Sequence, residues 1–112
     1  SFQHPIYGGA IVTLKSRVTR AFRSSMEVAI EVYTETMESQ EKVLTNTAFY
    51  TFVALGPEGK PVPVPPIQPA NPGDRERYDA ALRRRELRLI LAGRKSPKDA
   101  PALQALFGAV QQ

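Results

Sequence analysis

The chain has no cysteine. That excludes a disulfide scaffold, a zinc–thiolate site and a cysteine nucleophile together, and it fits a reducing, cytoplasmic setting. No apolar run approaches the roughly 20 residues that a membrane span requires, and the first residues carry no basic-then-apolar signal pattern. The expectation is a soluble, cytoplasmic chain with no membrane partner. Histidine is nearly as scarce. His4 is the only one, so any histidine-centred triad or metal cluster would have to be built on it. It stands beside Pro5 with no carboxylate close in sequence, and an exposed loop histidine is the default reading.

What is present is an ordinary globular composition: 112 residues, 42% hydrophobic and 23% charged. That length suits one domain and not two. Such a domain buries roughly 65% of its unfolded surface, so the core is thin and subunit contacts would help it. The formal net charge is +4, and Arg75 to Lys95 alone holds eight basic residues. A solvated helix face accounts for them before any polyphosphate or nucleic acid is invoked. Arg83-Arg84-Arg85 points in three directions about 100° apart on a helix, and Tyr78 is the one stacking aromatic nearby, so no nucleic-acid partner is expected.

Alternation marks three strands. From Ala10 to Phe22, Val12, Leu14, Val18 and Phe22 fall on one side, and Thr13, Lys15, Arg17 and Thr19 on the other, as in a half-buried strand. Arg23-Ser24-Ser25 makes the turn. A second strand, Met26 to Thr36, is expected to place Met26, Val28, Ile30 and Val32 inward and Glu27, Glu31 and Glu35 outward. After a polar loop at Met37 to Gln40, Val43 to Leu55 is apolar on both faces: Phe49, Val53 and Leu55 on one, Leu44, Ala48, Tyr50 and Phe52 on the other. Such a strand is central or covered on both sides. All three exceed the common length, which suggests a strongly curved sheet.

Gly56-Pro57-Glu58-Gly59 has turn chemistry. Seven of the ten prolines lie between Pro57 and Pro72. This stretch reads as an extended surface strap, with sheet hydrogen bonds possible only at an edge. Asn71-Pro72-Gly73-Asp74 starts a helix that Gly93 stops near Ala92. Ser96-Pro97-Lys98-Asp99 repeats the start signal for a short helix with Leu103, Leu106, Phe107 and Val110 on one face. The organisation is a sheet portion at 1–66, a proline-rich linker at 67–73 and a helical extension at 74–112, an α+β class.

Three polar groupings were candidates for chemistry. Gly8-Gly9 lacks the spacing of a phosphate loop and reads as a turn. Glu27, Glu31 and Glu35 share a strand face, where cross-strand pairing with Lys15 and Arg17 explains them better than acid–base work. Arg23-Ser24-Ser25 gathers hydroxyls, backbone N–H groups and a guanidinium at a hairpin tip. Such a tip can hold a phosphate or an amide, and it can equally be a plain turn.

The run Phe2 to Val12, then Arg23-Ser24-Ser25-Met26-Glu27-Val28, then Ala48 to Leu55 and a Pro-Val-Pro segment resembles the hotdog-fold acyl-CoA thioesterases. The likeness is to the group of brain-type cytosolic acyl-CoA hydrolases and their small bacterial relatives, over roughly Ser1 to Pro66. That resemblance implies a long curved antiparallel sheet wrapped around a central helix, pairing into dimers or hexamers, with CoA along a subunit interface. It implies hydrolysis of acyl-CoA to fatty acid and CoA by a water activated on a carboxylate (or an amide-bearing partner) near the central helix, with no metal and no cofactor. It sets Arg23, Ser24 and Ser25 against CoA as the binding residues.

The family's N-terminal strand and central helix, with the catalytic carboxylate, precede the part matched here, so the catalytic residue is expected outside this chain and none is named. The missing half would come from a longer product or another chain, or the helix Pro97 to Val110 would fill the concave face. Relatives also often carry glycine where Phe22 stands. The alternative expectation is a non-catalytic CoA-binding or oligomerisation module of hotdog type.

Overall fold

The computed structural model describes residues 9–38 and 40–111, with side chains as far as Leu106. His4, Gly8 and the Phe2–Tyr7 stretch lie outside the described residues, as do the side chains of Phe107 and Val110. Two units carry the chain's contacts, Ser1–Pro66 and Ile67–Gln112.

The first unit is an antiparallel sheet of β1 (Ile11–Ala21), β2 (Ser25–Glu35) and β3 (Val43–Val53) in the order β1-β2-β3. The β1–β2 turn is tighter than the sequence suggests. Phe22 N–H donates to the Ser25 carbonyl at 2.7 Å, so only Arg23 and Ser24 lie in the turn and Ser25 opens β2.

Each outer strand carries one extra residue against β2, which is a β-bulge. In β1 it is Thr19, between the pairs Val18↔Val28 and Arg20↔Glu27. In β3 it is Thr45, between Asn46↔Val32 and Leu44↔Tyr33. One added residue moves every later side chain to the opposite face. Val12, Leu14 and Val18 do share a face, but Phe22 crosses to the side of Ser25 and Glu27. Leu44 likewise leaves the face of Ala48, Tyr50 and Phe52. Plain alternation cannot register either switch.

Burial also corrects the expected sides. Val12, Leu14 and Val18 are exposed, Leu14 by 65%, whereas Glu27, expected outward, is only 1% exposed. The bulge threonines are buried too: Thr19 is 5% exposed and Thr45 0%. Thr19 donates its hydroxyl to Glu27 Oε1 at 2.6 Å, with the Glu27 carbonyl 3.3 Å away. Thr45 donates to the Val32 carbonyl at 3.1 Å. A buried polar group is tolerated when it is bonded, and here both neighbours grip β2 through such a bond.

Beyond β3 the chain turns at Gly56–Gly59 and comes back. Gly59 N–H donates to the Gly56 carbonyl, and Gly56 N–H to the Lys60 carbonyl. A Cβ on Gly56 would meet Val62 Cγ1 at 2.9 Å, so glycine lets the returning strap approach. Within Pro61-Val62-Pro63-Val64 the two residues that have an N–H use it: Val62 donates to the Ala54 carbonyl and Val64 to the Arg23 carbonyl. The prolines between them have no donor, which fits an edge that pairs on one side only.

In the second unit, α1 (Pro72–Leu91) begins as the sequence implies. Asn71 accepts from Asp74 N–H at 2.8 Å, with Pro72 in the first turn. It ends in a Schellman arrangement: Gly93, at φ 72°, donates to the Ile90 carbonyl and Arg94 to that of Leu89. The second start signal gives a different outcome. Ser96 makes no side-chain cap, Pro97–Asp99 forms only a 3-10 turn, and α2 (Pro101–Gln111) starts later.

The start of α2 is capped from α1 instead. Glu86, 1% exposed, accepts the N–H groups of Ala102 at 3.4 Å and Leu103 at 3.1 Å. Those are orphan donors of a helix N-terminus, where a carboxylate also meets the favourable end of the dipole. Glu86→Ala should therefore cost about 1–3 kcal/mol in urea unfolding and loosen α2 in amide exchange. Glu86→Gln, which keeps an acceptor, should cost less.

Candidate functional site

The β1–β2 tip carries Arg23, Ser24 and Ser25, the residues expected to bind a ligand. Its three carbonyls are all occupied: Arg23 by Val64 N–H at 2.9 Å, Ser24 by Ala54 N–H at 2.9 Å, and Ser25 by Phe22 N–H at 2.7 Å. β3's extension, the returning strap and the hairpin itself each hold one. With each carbonyl already engaged, the side-chain groups the tip offers a ligand are the Arg23 guanidinium and the Ser24 hydroxyl.

Arg23 and Ser24, together with Pro61, Val62 and Pro63, line an open depression of about 310 Å³. Arg23 is exposed and Ser24 half-buried. Ser25 lies buried at the start of β2 and does not line it. The rest of the lining is apolar strap. A cation and a hydroxyl facing proline and valine suit a ligand with an anionic group on a less polar body.

Sequence reasoning missed the strap as a wall and the Thr19–Glu27 pair beneath the tip. The strap's signal was available in the Pro-Val-Pro-Val alternation. The dyad had none, because a glutamate in an alternating strand reads as a solvent residue. Past the bulge, Arg20 stands opposite Glu27 in register, and its guanidinium lies 5.7 Å from the centre of the Phe22 ring.

The other groupings resolve differently. Glu31 pairs with Arg17 at 3.6 Å and accepts from the Tyr33 hydroxyl at 3.1 Å, while Lys15 lies over the Tyr33 ring at 5.1 Å. This is the cross-strand charge pairing the sequence implied for Glu31. Arg84 and Arg85 both have partners, and Arg83 lines a smaller groove with Asp79, Leu82, Ala102 and Ala105. The basic run is not a free stripe. Among the described residues no group of three or more His, Asp or Glu side chains could hold a metal, and no helix is long and apolar enough to cross a membrane.

A three-stranded antiparallel sheet with helices after it is the architecture of a partial hotdog domain, and comparison with known proteins says the same. Residues 1–40 match the model of the thioesterase superfamily. The chain is 41% identical over 83 residues to YkhA of Bacillus subtilis, an uncharacterised acyl-CoA thioester hydrolase, covering 74% of this chain and 48% of that one. It superposes on an acyl-CoA hydrolase from Bacillus cereus with a TM-score of 0.77 at 39% identity, over 83% of this chain and 57% of the other. A hexameric acyl-CoA thioesterase superposes with a TM-score of 0.77 at 33% identity, over 85% and 61%. The chain is similar to the thioesterase superfamily over residues 1–40 and has the architecture of part of a hotdog domain. It spans about half the length of the first relatives it matches.

Two outcomes test this geometry. Val64→Pro removes the N–H that holds the Arg23 carbonyl and should cost about 1–3 kcal/mol in denaturant unfolding, with the loss of protection centred on residues 22–25. The Glu31 bond and charge, with some desolvation, raise the Tyr33 phenol above its ordinary value of 10.0, against a lowering by Arg17. Because the folded state then holds its proton more tightly, the stabilisation is present below the ordinary value and lost as pH rises through the raised one. In phenolate absorbance titrations, taken as the difference from Tyr33→Phe, Glu31→Ala should bring Tyr33 back down.

Proposed function

We propose that this chain forms part of an acyl-CoA thioester hydrolase, converting acyl-CoA and water to a free fatty acid and CoA. The observation that carries the reading is the 39% identity to the Bacillus cereus acyl-CoA hydrolase across 83% of this chain, at a TM-score of 0.77. Water adds to the thioester carbonyl carbon, the oxygen takes up the developing charge, and the C–S bond then breaks to release the CoA thiol. Such chemistry asks for a base to activate water and donors for the oxyanion. It asks for no cofactor beyond the CoA of the substrate.

In this reading Arg23 and Ser24 meet the CoA part. The guanidinium pairs with phosphate oxygens, and the serine hydroxyl serves a phosphate or a pantetheine amide. Ser25, buried at the base of β2, supports them from within. No carboxylate of the described residues is assigned the role of base: Glu27 binds Thr19, and Glu31 binds Arg17 and Tyr33. Assembly into a homo-oligomer, a dimer or a hexamer, is part of the reading. The hexameric relative supports it. A cytoplasmic setting is part of it as well, and the names of mammalian relatives described as cytosolic support that.

Thiol release from a medium-chain acyl-CoA is the test. Turnover is expected, with Arg23→Ala raising KM by about tenfold at little change in kcat, the signature of lost uniform binding. CoA binding without any turnover would instead favour a non-catalytic CoA-binding or oligomerisation module. Neither binding nor turnover would sink both.

A further inference from the structure

We propose that Glu27 is a positioning residue for the Arg23–Ser24 site: through Thr19 it fixes the β1 bulge and so the direction in which the hairpin tip presents its donors. The proposal rests on the reading that this tip binds the CoA part of the substrate.

A carboxylate that is 1% exposed is costly to desolvate, and well-packed apolar residues often do as well for stability alone. The bulge does not require one. At Thr45 the same device is held by a hydroxyl-to-carbonyl bond, to Val32 at 3.1 Å. At Thr19 the carbonyl of Glu27 is also within reach, at 3.3 Å, yet the carboxylate comes closer, at 2.6 Å. A charge-assisted bond of that length holds the threonine more firmly than a neutral one.

The stronger lock stands at the end of the sheet that carries the tip. Thr19 lies four residues before Arg23, and Glu27 two residues after Ser25, so the pair closes the hairpin just below the turn. The bonds to Val64 and Ala54 N–H hold the tip's carbonyls but do not set which face Arg20 and Phe22 occupy. The bulge sets that, and the Arg20–Phe22 contact follows from it. Glu27 does not line the depression, so it acts on a ligand only through the tip.

Calorimetric titrations with CoA and with pantetheine, which lacks the phosphates, test the proposal on the parent protein and four single variants. Glu27→Gln and Thr19→Val should each weaken CoA by about tenfold, Thr19→Ser should restore it, and pantetheine binding should weaken much less. In an Arg23→Ala background, Glu27→Gln should add little, because the two act through one contact. Should Glu27→Gln fail to fold by circular dichroism, the Thr19 pair carries the same test.

Equal weakening of CoA and pantetheine, or losses that simply add to that of Arg23→Ala, would mean a structural role only. Folded Glu27 and Thr19 variants that keep parental CoA affinity while Arg23→Ala loses it would overturn this proposal and leave the site standing. A parent protein that does not bind CoA, or an Arg23→Ala variant that binds it normally, would instead remove the reading beneath it.

Discussion

The bond from Thr19 to Glu27 decides how the sheet unit is laid out. A bulge adds one residue to one strand and none to its partner, so something must hold the extra residue in place or the register drifts. Here a 2.6 Å bond to a buried carboxylate does so. Everything from Arg20 onward inherits its face from that point. Thr45 fixes the other side of β2 in the same manner, though with a weaker acceptor. The central strand is therefore keyed from both neighbours, and the two keys stand at opposite ends.

The tip depends on this keying because it is otherwise held only by its backbone. Three successive carbonyls each receive an N–H from a different part of the unit. This arrangement divides the loop's groups: its carbonyls hold the backbone, while the Arg23 and Ser24 side chains line the depression. The strap completes the division, since Val62 and Val64 give their N–H groups inward while the prolines have none to give. The depression is thus lined by a cation, a hydroxyl and a donor-poor, apolar strap.

The elements themselves were legible in the sequence, and the faces were not. Alternation locates β1, β2 and β3 to within a residue or two at each end, and Asn71-Pro72 and Gly93 bound α1, because propensity and capping are local. Face assignment is cumulative, so one unseen bulge misplaces every residue after it. Phe22 and Leu44 were misassigned for that reason. The Arg23-Ser24-Ser25 grouping was visible because turn chemistry is local too. Its wall was not, because Pro61–Pro63 reach the tip only after a reversal at Gly56. The start of α2 failed differently: Ser96-Pro97 is a sound local signal, but a more distant acceptor on α1 outcompetes it.

Both units share one departure from the usual reading of charge. The largest fully buried side chains among the described residues are Glu27, Glu86 and Thr45, whereas the buried hydrophobic ones are three alanines, Ala29, Ala81 and Ala100. Alanines bury too little area to choose between registers or helix positions. Directional polar bonds can make that choice, since a wrong register would strand a buried carboxylate without its donors at a cost of several kcal/mol. The apolar surface that would ordinarily form a core, including Val12, Leu14, Tyr50 and Phe52, is exposed instead. So the polar keys specify how each unit is arranged, while most of the sheet's hydrophobic potential remains for a contact beyond the chain's own strands.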